Sequence, residues 1–114
     1  MTSLVVRLCE NYSVRPEFLH RILDIRHVDG LWCVAFIRWL QDQDLTVVGT
    51  DKKVPCTWLS KESARNQLIV AGYSVLDYYN TAKKTELRFP DLPCVTSITA
   101  EGIQFYPLEV LRIQ

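Results

Sequence analysis

Apolar residues return at helical spacing through the first third of the chain. In "SLVVRLCENY", Leu4, Val5, Leu8, Cys9 and Tyr12 share one face, and Thr2 or Ser3 is placed to cap the start. "RPEFLHRILDI" repeats the stripe through Phe18, Leu19, Ile22 and Leu23, with Pro16 suited to a first turn. "GLWCVAFIRWLQ" is apolar almost all round, broken only by Arg38. Its length favours a buried helix over a strand, and it also suits an interface helix seated on a neighbouring domain.

The pattern changes at Leu45. "LTVVGT" and "VPCTWL", separated by Asp51-Lys52-Lys53, read as strand, turn and strand. "NQLIVAGY" is a further short extended piece. Ser74 and Asp77, three apart, open a brief helix in "SVLDYYNTAKK" through a capping-box arrangement. Four short strands are expected around "TELRF", "CVTSI", "IQFY" and "EVLRI". Pro90, Pro93 and Pro107 lack an amide donor, so they belong at strand starts, edges or bulges. Helices in front and short strands behind, with one helix inserted, give an α+β fold: a small β-barrel with appendages.

Length and composition narrow the function classes. At 114 residues the chain makes one domain, and 48% apolar residues give it material for a core. No segment offers the roughly 20 apolar residues of a membrane span, and no signal-peptide pattern follows Met1. Cys9, Cys33, Cys56 and Cys94 lie far apart among apolar neighbours, which reads as free thiols in a reducing compartment, cytoplasm or nucleus. With His20 and His27 as the imidazoles, no metal site is expected, and no cofactor. Formal net charge is zero, so any nucleic-acid contact should be short and local. From Lys52 to Arg88 the balance is nevertheless basic, seven Lys and Arg (52, 53, 61, 65, 83, 84, 88) against three acids (62, 77, 86).

Three blocks near the C-terminus fit a known pattern. Tyr78-Tyr79 closes a helix, Phe89-Pro90-Asp91-Leu92-Pro93-Cys94 follows after about ten residues, and "QFYPLEVLRI" carries Pro107-Leu108-Glu109. In order and spacing they resemble the PAZ domain of Argonaute and Piwi proteins, and more distantly that of Dicer. Tyr106 stands where the Argonaute pattern usually has Leu. "LTVVGTDKKVPCTWL" is similar to the family's first barrel hairpin and "SLVVRLCENYSVR" to its preceding helix, while residues 18–41 carry no shared motif. The resemblance implies an oligonucleotide-binding-like barrel with a hairpin-plus-helix appendage. Residues 1–41 would be a helical lead-in and 45–114 the barrel and appendage. The whole would be one domain, 1–114, excised from a longer Argonaute-like protein whose other domains are its partners.

The same resemblance implies a cleft that holds the 3′ end of a single-stranded small RNA for RNA silencing. A terminal base can lie on a ring, and phenols and a lysine can hold the last phosphates. Tyr78 falls on the phosphate-binding tyrosine of the family and Tyr79 on the more buried aromatic beside it. Where Argonautes have Lys-Tyr this chain has Ala82-Lys83, leaving Lys83 or Lys84 to reach a phosphate. The hairpin usually gives His, Arg and Tyr; here it has Lys52, Lys53 and Trp58, with Trp58 expected in the core. Leu68 or Ile69 stands in for the base-stacking aromatic, and Tyr106 could either supply a ring or hydroxyl from the opposite wall or pack under the rim. The candidate RNA-binding residues are Tyr78, Lys83, Tyr106, Lys53, Lys84 and Arg65, with Arg88 secondary.

No catalysis is expected. Asp42 and Asp44 flank a turn, and neither Ser60 nor Cys56 has a histidine nearby to activate it. The competing expectation is a degenerate PAZ fold that acts as a protein-interaction or scaffold module, docking through residues 31–40.

Overall fold

The computed structural model of the chain describes residues 2–23 and 30–113, with the backbone alone for 30–33. His27, the side chain of Cys33 and the continuation of the second helical stripe past Leu23 lie outside the described residues. The expected first helix is present as α1, Leu4–Tyr12, with Leu4, Val5 and Leu8 buried. Its start differs from expectation: the Ser3 hydroxyl makes no capping bond. Thr2 and Ser3 instead form a short strand, β1, antiparallel to Leu111–Ile113. Ser13, in the left-handed region at φ 55, ends α1, and the Val14 amide closes back onto the Cys9 carbonyl at 3.1 Å.

Pro16 opens a 3-10 turn, Pro16–Phe18, that runs into the short α2, Leu19–Ile22. The long apolar segment forms α3, Gly30–Asp42, and buries Phe36, Ile37 and Leu40. Those side chains are spent on this chain's own core. Among the described side chains of 31–40, Val34, at 43% exposure, is the large apolar group left facing out.

The remaining strands are β2 (Leu45–Val47), β3 (Trp58–Ser63), β4 (Leu68–Val70), β5 (Tyr73–Ser74), β6 (Pro93–Thr99), β7 (Gly102–Pro107) and β8 (Leu111–Ile113), with α4 at Val75–Thr81. They make three antiparallel sheets in the orders β1-β8-β2, β3-β6-β7 and β4-β5. The fold is α+β. Among the described residues no ladder joins the first sheet to the second, so the expected barrel is represented by two open sheets over one core. Leu45, Leu111 and Ile113 enter that core from one sheet and Leu59, Val95 and Tyr106 from the other. A second core of Ala64, Val75, Tyr79, Leu87 and Cys94 fastens α4 to the β3-β6 face. Each fully buried Leu or Val contributes about 1.5–3 kcal/mol over its exposed state.

Two strand expectations are corrected. "TELRF" forms no strand: the amides of Arg88 and Phe89 donate to the Glu109 carboxylate at 2.9 and 2.8 Å, so no neighbouring ladder claims them. The strand expected at "VPCTWL" begins instead at Trp58 and runs on to Ser63. Val54 still pairs with Leu45, its amide donating at 2.9 Å, but Pro55 has no donor to extend the ladder. Leu59 takes the inward position, and alternation then turns Trp58 outward, 46% exposed rather than in the core.

Between Leu59↔Val95 and Ser63↔Pro93 the β3-β6 register shifts, and Ser60 fills the gap. Its hydroxyl accepts from the buried Cys94 amide at 2.8 Å and donates to the Glu62 carbonyl at 2.6 Å. A donor that the bulge would strand is thereby satisfied. The Cys94 thiol beside it is fully buried, and that burial pushes its pKa up to about 12. Cys9, Cys56 and Cys94 are all free thiols.

Candidate functional site

α4 sets one wall of a cavity, and its sequence dictates where it starts and stops. The Ser74 hydroxyl accepts from the Asp77 amide and the Asp77 carboxylate from the Ser74 amide, both at 3.1 Å, completing the expected capping box. At the other end Lys84 takes φ 50, and the Thr85 amide reaches back to the Tyr79 carbonyl at 2.8 Å. The helix therefore stops before the two lysines and releases them into a turn.

Between α4, β7 and the 47–52 hairpin lies an open cavity of about 660 Å³. That is within the roughly 300–1,000 Å³ that takes a small ligand. Tyr78, Tyr79, Lys83 and Thr85 line it from α4 and the turn after it; Ile103, Gln104, Phe105 and Tyr106 line it from β7. Val47, Val48, Thr50 and Lys52 come from the hairpin, Ile69 from β4, and Glu109 and Val110 from the turn after β7. The rim is aliphatic, since Val48, Ile69 and Ile103 are 49%, 44% and 60% exposed.

Two lysine–phenol pairs occupy this cavity. The Lys83 ammonium lies 5.9 Å from the centre of the Tyr78 ring, and the Lys52 ammonium 5.5 Å from that of Tyr106. The Tyr78 ring meets Tyr79 edge-on, 5.5 Å between centroids. Tyr79 is 8% exposed, and burial raises its pKa first, with Cys94, Tyr106 and Tyr78 adding to the shift. Its role is packing. Tyr106 is also 8% exposed and belongs to the main core, while its hydroxyl donates to the Gln104 side chain within the cavity wall. It does both things that the sequence left open: its ring packs and its polar edge faces the cleft.

Among the described residues, the one carboxylate in the wall, Glu109, is already engaged. Both oxygens of Glu109 accept backbone amides, tying the Phe89-Pro90 loop to the Pro107-Leu108-Glu109 turn. Glu109→Ala is expected to cost about 1–3 kcal/mol in urea unfolding, because hydrogen bonds to a charged acceptor are the stronger kind. Glu109→Gln keeps one acceptor oxygen but turns an NH2 donor toward the second amide, so it should also destabilise, by a comparable amount. Faster amide exchange at Arg88 and Phe89 would locate the effect.

No protein-family model matches this sequence, and no curated protein does. The geometry itself therefore sorts the expected site residues. Tyr78, Lys83 and Tyr106 come together in the cavity wall. Three expected residues do not. Lys53 lies 3.9 Å from Asp44 on the outside of the hairpin. The Arg65 guanidinium bonds the Asp91 carboxylate at 3.0 Å, and Lys84 is exposed in the turn past Lys83. None of the three lines the cavity.

Gln104 was not among the expected residues, and Lys52, noted in the hairpin beside Lys53, was not among the candidates chosen. Strand alternation could have found Gln104, since it shares a face with Tyr106 two positions on. The same alternation separates Lys52 from Lys53, but choosing between them needed the register of Lys53 opposite Thr46, which the sequence does not give.

Proposed function

We propose that this chain is a PAZ-like module, its two open sheets standing for the family's barrel, and that its cleft grips the 3′ end of a single-stranded small RNA. The observation that carries this reading is the cavity of about 660 Å³ with Tyr78 and Lys83 on one wall and Tyr106 on the other. Cations and phenols suit phosphates, the aliphatic rim suits an unstacked base, and the Glu109 carboxylate in the wall has both oxygens taken up by backbone donors. Two or three phosphate contacts need few cations, which agrees with a net charge of zero. The role is binding, not catalysis, within an Argonaute-like protein.

A second reading, a protein-interaction module of the same fold, draws on β4, where Leu68, Ile69 and Val70 are 52%, 44% and 61% exposed. Titration of labelled single-stranded RNA separates the two. RNA-end binding predicts tighter association with a free 3′ end than with a 3′-phosphorylated one, and loss of that preference in Tyr78→Ala. Binding that ignores both the end and Tyr78 would leave the second reading standing.

A further inference from the structure

We propose that the side-chain amide of Gln104 reads the terminal base of the strand, selecting a keto base (U or G) over an amino base (A or C), with Tyr106 as its positioning residue. This deepens the RNA-end reading and rests on it. Gln104 lines the cavity from β7, its backbone held in register opposite Ser97 of β6. An amide has an acceptor end and a donor end, so the end that meets the cleft decides what it reads. The Gln104 carbonyl oxygen accepts from the Tyr106 hydroxyl. The Lys52 ammonium stands beside that phenol, 5.5 Å from the ring centre, and hydrogen bonding to the phenol is the first cause of its raised pKa. An ammonium can only donate, so the phenol proton goes to the Gln104 oxygen. That network assigns the amide: its oxygen is held by Tyr106, and its NH2 is left for the cleft. A leucine at this position, usual in the pattern the chain resembles, could not orient the amide, so the device belongs to this sequence.

The other neutral polar side chains of the wall are already used. The Thr50 hydroxyl donates to the Val47 carbonyl at 3.0 Å and accepts from the Lys52 amide at 3.1 Å, and the Thr85 hydroxyl donates to the Lys83 carbonyl at 3.1 Å. Among the described residues nothing accepts from the Gln104 NH2. A phosphate prefers the Lys83 ammonium to a neutral amide, which leaves the base for Gln104. Ile69 and Ile103, exposed in the same cavity, give that base an apolar seat. Unpaired bases are read by hydrogen bonds at their edges. Uracil and guanine present a carbonyl oxygen where cytosine and adenine present an amino group. The carbonyl accepts from the NH2; the amino group sets donor against donor and leaves both without a partner.

The test is a set of anisotropy titrations with four labelled single-stranded RNAs that differ only in the 3′-terminal base. Strands ending in U or G should bind roughly 2- to 12-fold more tightly than those ending in C or A, the worth of one hydrogen bond. Gln104→Glu replaces the donor with an acceptor and should invert that order; its added charge weakens all four alike, so the ratio between strands is the readout. Tyr106→Phe keeps the core ring but frees the amide to turn either end to the cleft, so it should level the four strands while binding persists. Four equal ends in the unmodified chain, an unchanged order in Gln104→Glu, or an unchanged order in Tyr106→Phe overturns the assignment. A 3′-phosphorylated strand in the same series separates the two claims. If the free end is still preferred while the bases are level, the RNA-end reading survives without this one. If the unmodified chain shows no end-dependent binding, both fall together.

Discussion

Leu108→Ala should remove about 2–5 kcal/mol of stability, the range for emptying a large aliphatic side chain from a close-packed core. Leu108 is fully buried, and it sits in the 3-10 turn that carries the chain from β7 to β8. α1 packs against that turn, and the main core gathers residues of both sheets around it. A cavity there loosens the junction between the sheets as well as the local contacts. A domain of this size has about 5–15 kcal/mol in all, so the variant should stand near its unfolding limit. Leu68→Ala is the control. Leu68 is 52% exposed on β4, and its loss should stay within about 0.5 kcal/mol. Urea unfolding of the two variants measures the difference directly, and equal losses would contradict the placement of Leu108.

The largest functional effect is expected from Tyr78→Ala. Tyr78 presents a half-buried ring and hydroxyl to the cavity, supported edge-on by Tyr79 and flanked by Lys83. Losing a ring that a base or phosphate leans on costs about 1–3 kcal/mol, which is roughly a 5- to 150-fold drop in RNA affinity. Tyr78→Phe isolates the hydroxyl and should lose less. Tyr78 belongs to the partly buried margin of the second core, so thermal unfolding of Tyr78→Ala should accompany the titration. A variant that stays folded and loses affinity supports a role at the site; one that loses neither contradicts it.

Much of this could be read from the chain, for identifiable reasons. α1 and α3 declare themselves by period and length, and α4 by Ser74 and Asp77, whose capping box forms as expected. Local chemistry of that kind is written within a few residues. The placement of Pro93 and Pro107 in the strands paired at Cys94↔Pro107 likewise follows from their missing donors. What could not be read depends on partners distant in sequence. Nothing near "TELRF" announces that Glu109 will take its amides. The pairing of Val54 with Leu45 stops at Pro55, so β3 starts only at Trp58, and the outward turn of Trp58 follows from Leu59 pairing inward with Val95 across the sheet. Lys52 and Lys53 are indistinguishable until the hairpin register is known. Runs of Val, Cys and Trp identify extended chain, but register decides which side chains face the cleft.

The central claim is that an RNA terminus, rather than RNA as such, enters the space between Tyr78 and Tyr106. The most direct measurement compares one short single-stranded sequence in linear and covalently circular form, by competition against a labelled linear strand. The linear RNA should displace the label and the circle should not, since the circle keeps every base and phosphate but has no end to insert. Equal competition by the two forms would contradict the account.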